Sequence, residues 1–255
     1  MDFEKVKIIE THCHVDVEID GHYVDAESMI DLQRQEGLSY SLLIGGKGNR
    51  DLVERVKSHQ DVAGVLLFID PRKENAVREI EELAEAFPDV VKGVKLMPLR
   101  SNYMISTPLL RDVFACAIEH NLTIVTHTEA DGSAEAGRYK DIMRLFPHAR
   151  LVLYHACPAD EAFALVNAHE HVFIDTSYFA WGRSVQNLAM REIGKERIVF
   201  GIDSPYGFPI VNGTLQPHYR AAVKDLYGFY DHDDDVLEHV LFKNAVQLFG
   251  LNLAA

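Results

Sequence analysis

The chain has 255 residues, 47% of them hydrophobic, a size and composition that suit one α/β barrel with a sizeable core. Its 39 acidic and 25 basic side chains leave a formal charge of −14, which repels phosphate backbones and argues against nucleic acid as a partner. Three scattered cysteines (Cys13, Cys116 and Cys157) exclude a disulfide framework, no apolar run is long enough for a membrane span, and the opening residues lack a secretion signal, so a cytoplasmic location is expected.

Short β-branched or apolar runs alternate with amphipathic stretches, the pattern of βα units around a parallel sheet. The expected strands are 6–15, 40–45, 63–69, 91–97, 122–127, 151–155, 172–176 and 198–203. Between them, Asp25-Ala26-Glu27 opens a helix, Pro88 follows an acidic helix over 74–87, Thr107-Pro108 reads as an N-cap with proline at the first helical position, and Pro147 closes a helix begun near Ala134. Past the eighth strand, 208–217 reads as a loop, and 219–227 and 234–249 supply a last helical layer. Eight parallel strands close into a barrel. The expected fold is therefore α/β: a single (β/α)8 TIM barrel with an extra C-terminal helix, one domain over residues 1–255.

The first strand ends in Thr11-His12-Cys13-His14. Residues two apart on a strand point to one face, so His12 and His14 can chelate one metal ion. Lys95, His127, His155 and Asp203 stand at the ends of the fourth, fifth, sixth and eighth strands. All six occupy the rim on which barrels of this kind build their chemistry.

The segments 8–14, 92–98, 124–128, 152–156, 199–207 and 241–251, taken in this order, resemble the amidohydrolase superfamily, and within it the amidohydrolase-2 (amidohydrolase-related) group of metal-dependent hydrolases. The resemblance implies that His12, His14 and His127 hold a divalent metal, zinc by expectation, as neutral imidazoles. Asp203 is then a ligand, or the general base that takes a proton from metal-bound water and passes it to the leaving group. His155 either completes a second metal position or polarises the substrate carbonyl, so one or two ions are expected. Lys95 bridges two metals as a carbamate, holds a substrate carboxylate as an ammonium, or is a structural ion-pair partner.

Arg100, Tyr103, Glu129, Tyr178, Arg183 and Tyr206 fall in the loops after the fourth, fifth, seventh and eighth strands and are candidate substrate contacts. Arg100 and Arg183 would offset the acidic surface for an anionic small molecule. Asp16 shares the parity of His12 and His14, and either orients one of them or caps the following loop. Cys13 points toward the helix layer, and Asp231-His232-Asp233-Asp234-Asp235 reads as a helix N-cap rather than a calcium loop.

The leading expectation is hydrolysis of a small amide, lactone or ester by a metal-bound hydroxide. The alternative is metal-dependent nonoxidative decarboxylation of a small carboxylic acid. A TatD-like phosphoester hydrolase, which would carry a glutamate in place of Lys95, and a non-catalytic metal-binding barrel are weaker readings. The partner is a small molecule, with homo-oligomerisation left open.

Overall fold

The computed structural model describes residues 6–177, 193–211 and 214–253. Eight strands pair in parallel, in chain order: β1 (Ile9–Val15), β2 (Tyr40–Gly45), β3 (Val62–Ile69), β4 (Val91–Leu96), β5 (Thr123–His127), β6 (Leu151–Tyr154), β7 (Val172–Asp175) and β8 (Ile198–Val199). The seam between β8 and β1 closes through Thr11 N–H to the Phe200 carbonyl at 3.0 Å, Ser204 N–H to His12 at 3.0 Å and His14 N–H to Ser204 at 2.6 Å. The result is a closed (β/α)8 barrel with a helical segment after the last strand. Among the described residues, no helix is long and apolar enough to cross a membrane.

Two apolar layers follow from strand alternation. Inward-facing Ile9, Leu42, Ile44, Leu66, Val125, Val152 and Val199 meet Ala245, Leu248 and Phe249 of the terminal segment. The Leu248 carbonyl accepts a hydrogen bond from Thr123 Oγ1 at the start of β5, 2.8 Å away, so this segment plugs the barrel's lower end. Outward-facing Leu43, Val65, Val94, Ile124, Leu153 and Ile174 pack beneath the helices.

One irregularity sits in β1. Its register with β2 runs Glu10 to Ser41 and then Cys13 to Leu43, so β1 carries one extra residue there. A single inserted residue sends every later side chain to the opposite face. Ile9 accordingly lies in the inner layer and Cys13 in the outer one, with His12 and His14 turned toward the axis.

Several element boundaries differ from expectation. Asp25 caps the first helix, accepting the Ser28 N–H at 2.7 Å, but the 107–119 helix has Ser106 at its N-cap. Pro108 has no N–H to lose in the first turn, so proline tolerates either register. The stretch from 134 is not one helix: Ala136–Tyr139 is a 3₁₀ turn before a helix over Lys140–Leu145. The loop at 208–217 contains a short hairpin, Ile210–Val211 with Thr214–Leu215. The final helix is interrupted by a π turn at His239–Lys243. Asp233 caps it by accepting the N–H groups of Asp235 and Val236, as an N-cap reading of the acidic run requires.

Candidate metal centre

The same alternation brings Lys95, His127 and Asp175 to the axis from β4, β5 and β7. His155 and Asp203 arrive differently: both lie just past their strands, in left-handed backbone at φ +70° and +57°. Such conformations cost a non-glycine residue of order 1–3 kcal/mol and persist only where surrounding bonds impose them. At His155 the backbone N–H donates to Asp175 Oδ1 at 2.9 Å. At Asp203 the next residue, Ser204, is bonded to β1 on both sides.

Asp203 lies at the middle of the cluster. Its Oδ1 is 3.0 Å from His12 Nε2 and 3.3 Å from His14 Nε2, and its Oδ2 is 3.9 Å from His155 Nε2. Lys95, wholly buried, holds Nζ 3.4 Å from His12 Nε2 and 4.0 Å from the centre of the Tyr154 ring. That ring stacks on His12 at 3.7 Å, and the His127 and His155 rings meet edge to face at 4.6 Å. Gly201 stands against His12: a Cβ there would come within 2.8 Å of the His12 Cβ.

Asp175, which is not among the rim residues expected from the sequence, organises the histidines. His12 Nδ1 donates to its Oδ2 at 2.8 Å, while Oδ1 accepts from the His155 N–H and from Ser177 Oγ at 2.8 Å. Ser177 Oγ is also 3.0 Å from His155 Nδ1. A carboxylate on one imidazole nitrogen fixes the proton there and leaves the other nitrogen's lone pair outward. Asp175 ends an apolar run, as Lys95 and His127 do, which is the sequence feature that marks it. Asp16 does not orient a histidine. Its own backbone is left-handed at φ +56°, which turns the carboxylate to Arg55 and to Tyr23 Oη at 3.2 Å.

Burial pushes the imidazoles down, His14 and His155 to about 4 and His127 to about 2, so all three are neutral donors at pH 7. Burial alone would raise Asp203, but the imidazoles of His12, His14 and His155 hold it well below the usual carboxylate range. Lys95 is pushed down to about 7 by burial, against the pull of Asp203 and Asp175. The donor set fits a divalent cation. Three imidazole nitrogens converge on the Asp203 carboxylate, His12 Nε2 at 3.0 Å, His14 Nε2 at 3.3 Å and His155 Nε2 at 3.9 Å, the nitrogen and oxygen donor types that such a cation takes. His12, His155 and Asp203 each offer one ligand atom, all within 4.8 Å of one another. His127 adds a buried Nε2 with no hydrogen-bond partner among the described residues.

The candidate substrate contacts divide. Tyr206 packs edge-on to His14 at 5.2 Å, and burial raises its phenol even though the Arg100 charge opposes this. Arg100 is exposed, lies 5.6 Å over the Phe68 ring and pairs with no carboxylate among the described residues. Glu129 sits at the end of β5, where its Oε1 is 3.9 Å from Cys157 Sγ. Tyr103 is buried in the outer layer beneath the Arg72 guanidinium instead of lining the mouth. Tyr178 and Arg183 lie outside the described residues.

A parallel barrel with imidazoles, a carboxylate and a lysine gathered at its C-terminal rim defines a class of metal-dependent hydrolases and lyases. The amidohydrolase family model matches residues 43–251, and the chain belongs to that family, the amidohydrolase-2 group of the amidohydrolase superfamily. No curated protein sequence matches the chain. Among solved structures it is similar to the probable 2-pyrone-4,6-dicarboxylic acid hydrolase of Acinetobacter baumannii, with citric acid bound (16% identity, TM-score 0.70, covering 96% of this chain and 100% of that one). It is also similar to the apo IDCase of Metarhizium anisopliae (14%, 0.73, 100% of both chains) and to 4-oxalomesaconate hydratase of Rhodopseudomonas palustris (12%, 0.64, 95% of both). Identities this low establish the barrel and leave the reaction to the site.

Proposed function

We propose that the protein is a metal-dependent hydrolase acting on a small amide, lactone or ester that carries a carboxylate. The observation that carries the reading is the His12, His155 and Asp203 cluster at the rim, with Asp175 setting the His12 proton. His12, His155 and Asp203 would hold the cation, His14 and His127 extending the donor set; zinc suits neutral imidazoles and a carboxylate. A cation there would polarise a carbonyl and bring the pKa of water to about 7. Asp203, ionised and central, takes the proton from the attacking water and delivers it to the leaving group. Arg100 and Tyr206 hold the substrate carboxylate at the mouth.

One observation favours a second reading. Lys95 is wholly buried inside the barrel with Nζ 3.4 Å from His12 Nε2, and an amine so placed, pushed down toward neutrality by burial, could protonate carbon as carbon dioxide leaves. The two readings separate by product. Metal per chain is measured by elemental analysis, and the loaded protein is incubated with lactones, esters, amides and unsaturated carboxylic acids. A hydrolysed acid supports the hydrolase, released carbon dioxide supports the decarboxylase, and unchanged metal content in His12→Ala removes the centre as described.

A further inference from the structure

The extra residue in β1 creates a local problem in hydrogen bonding. The slip between Glu10 and Cys13 takes the His12 N–H out of the ladder with β2. Across the seam, the regular parallel acceptor for the Ile202 N–H is the Thr11 carbonyl, but the Tyr154 hydroxyl donates to that carbonyl. Both amides instead donate to one oxygen: Glu10 Oε1 accepts from His12 at 3.0 Å and from Ile202 at 3.1 Å. These amides lie on the two segments that supply His12, His14 and Asp203.

Glu10 is wholly buried and stands across the ladder from Ser41 on the outer face, away from the reacting groups. Nearby on that face, Ser41 Oγ donates to Gln33 Oε1 at 2.6 Å, and Gln33 Nε2 donates to Tyr219 Oη and Cys13 Sγ. Glu10 Oε2 has no partner among the described residues. A buried carboxyl group with one oxygen idle is a poor contributor to stability for its own sake, and burial pushes Glu10 well above the usual carboxylate range, toward the neutral acid. An apolar side chain there would leave two buried N–H groups unsatisfied, the costlier alternative.

We infer that Glu10 is a positioning residue: one oxygen of its carboxyl group holds the β1 bulge that turns His12 and His14 into the barrel and ties that strand to the segment carrying Asp203. Nothing reacts at Glu10. It acts through the backbone, and the need is for an acceptor oxygen rather than a negative charge. The effect on ligand geometry rests on the reading of the cluster as a metal centre, whereas the clamp itself does not.

The test compares wild type, Glu10→Ala and Glu10→Gln by amide hydrogen exchange over 9–15 and 198–204, and by cobalt(II) titration followed in the visible spectrum. Folded Glu10→Ala is expected to exchange at least about tenfold faster in both segments and to bind cobalt about 10–100-fold more weakly. Glu10→Gln, which keeps the acceptor, should stay within about threefold of wild type on both readouts. Unchanged exchange in folded Glu10→Ala overturns the clamp, as does a folded Glu10→Gln that loses protection or cobalt. Should Glu10→Ala fail to fold, the Glu10→Gln result decides. If wild type binds no cobalt, the metal reading falls and the exchange data still judge the clamp.

Discussion

At the base of the barrel, Ile9, Leu42, Val125, Val152 and Val199 close over Ala245, Leu248 and Phe249 in an apolar cluster. At the mouth, a few ångströms separate four imidazoles, two carboxylates and an amine, and His155 and Asp203 occupy left-handed conformations. The base is apolar packing that lowers the free energy of the fold. The mouth buries charge and strains backbone, both of which raise it. Stability and chemistry are thus assigned to opposite ends of the same strands, and substitutions at the two ends should fail in different assays.

The largest expected effect lies at the mouth. Asp203→Asn should lower kcat by about 10²–10⁴-fold, with far-UV circular dichroism and melting temperature close to wild type. Near-normal turnover would remove Asp203 from the proton path. The counterpart at the base is Phe249→Ala, which should cost about 3–5 kcal/mol in urea unfolding and leave metal affinity unchanged at temperatures where the variant is folded. A matching loss of metal would show that the two ends are coupled.

Between these extremes stands Asp175→Asn, which touches both assays. It should weaken metal binding about 10–100-fold, since the amide no longer fixes the His12 proton. A further effect is on pH. His14 and His155 are held at about 4 in the fold and titrate near 6.5 once unfolded, so between those values the unfolded chain binds the extra protons. The melting temperature of metal-free protein should therefore fall as pH drops from about 6.5 to about 4. A flat profile would place these imidazoles in contact with water.

The strand order and the rim positions of His12, His14, Lys95, His127, His155 and Asp203 were legible because short apolar runs alternate with amphipathic stretches and several of those runs end in a histidine, lysine or aspartate. Asp175 was harder to see: a lone acid after an apolar run also describes an ordinary turn, and only the His12 ring 2.8 Å away distinguishes the two. For Asp16 the sequence left two roles open, and parity could not choose between them because parity along a strand stops predicting direction where the backbone turns left-handed. The β1 bulge has no residue-type signature, since it is a property of pairing between strands, so Glu10 looked like one more acid in an acidic chain. Tyr103 belongs to the same class of failure: its place in a loop says nothing about whether the loop folds over the mouth or under it.

The plug at the base also dictates an order of events during synthesis. Ala245, Leu248 and Phe249 follow all eight strands in the chain, yet they occupy the interior that those strands enclose. A ribosome finishes β8 roughly fifty residues before it finishes the plug, an interval of several seconds at about 5–20 residues per second. During that interval the lower opening exposes Ile9, Val125 and Val199 to whatever else is nascent nearby. Chaperone demand should therefore peak between the synthesis of β8 and that of the plug, and a stall in this interval should yield more aggregate than a stall earlier in the chain.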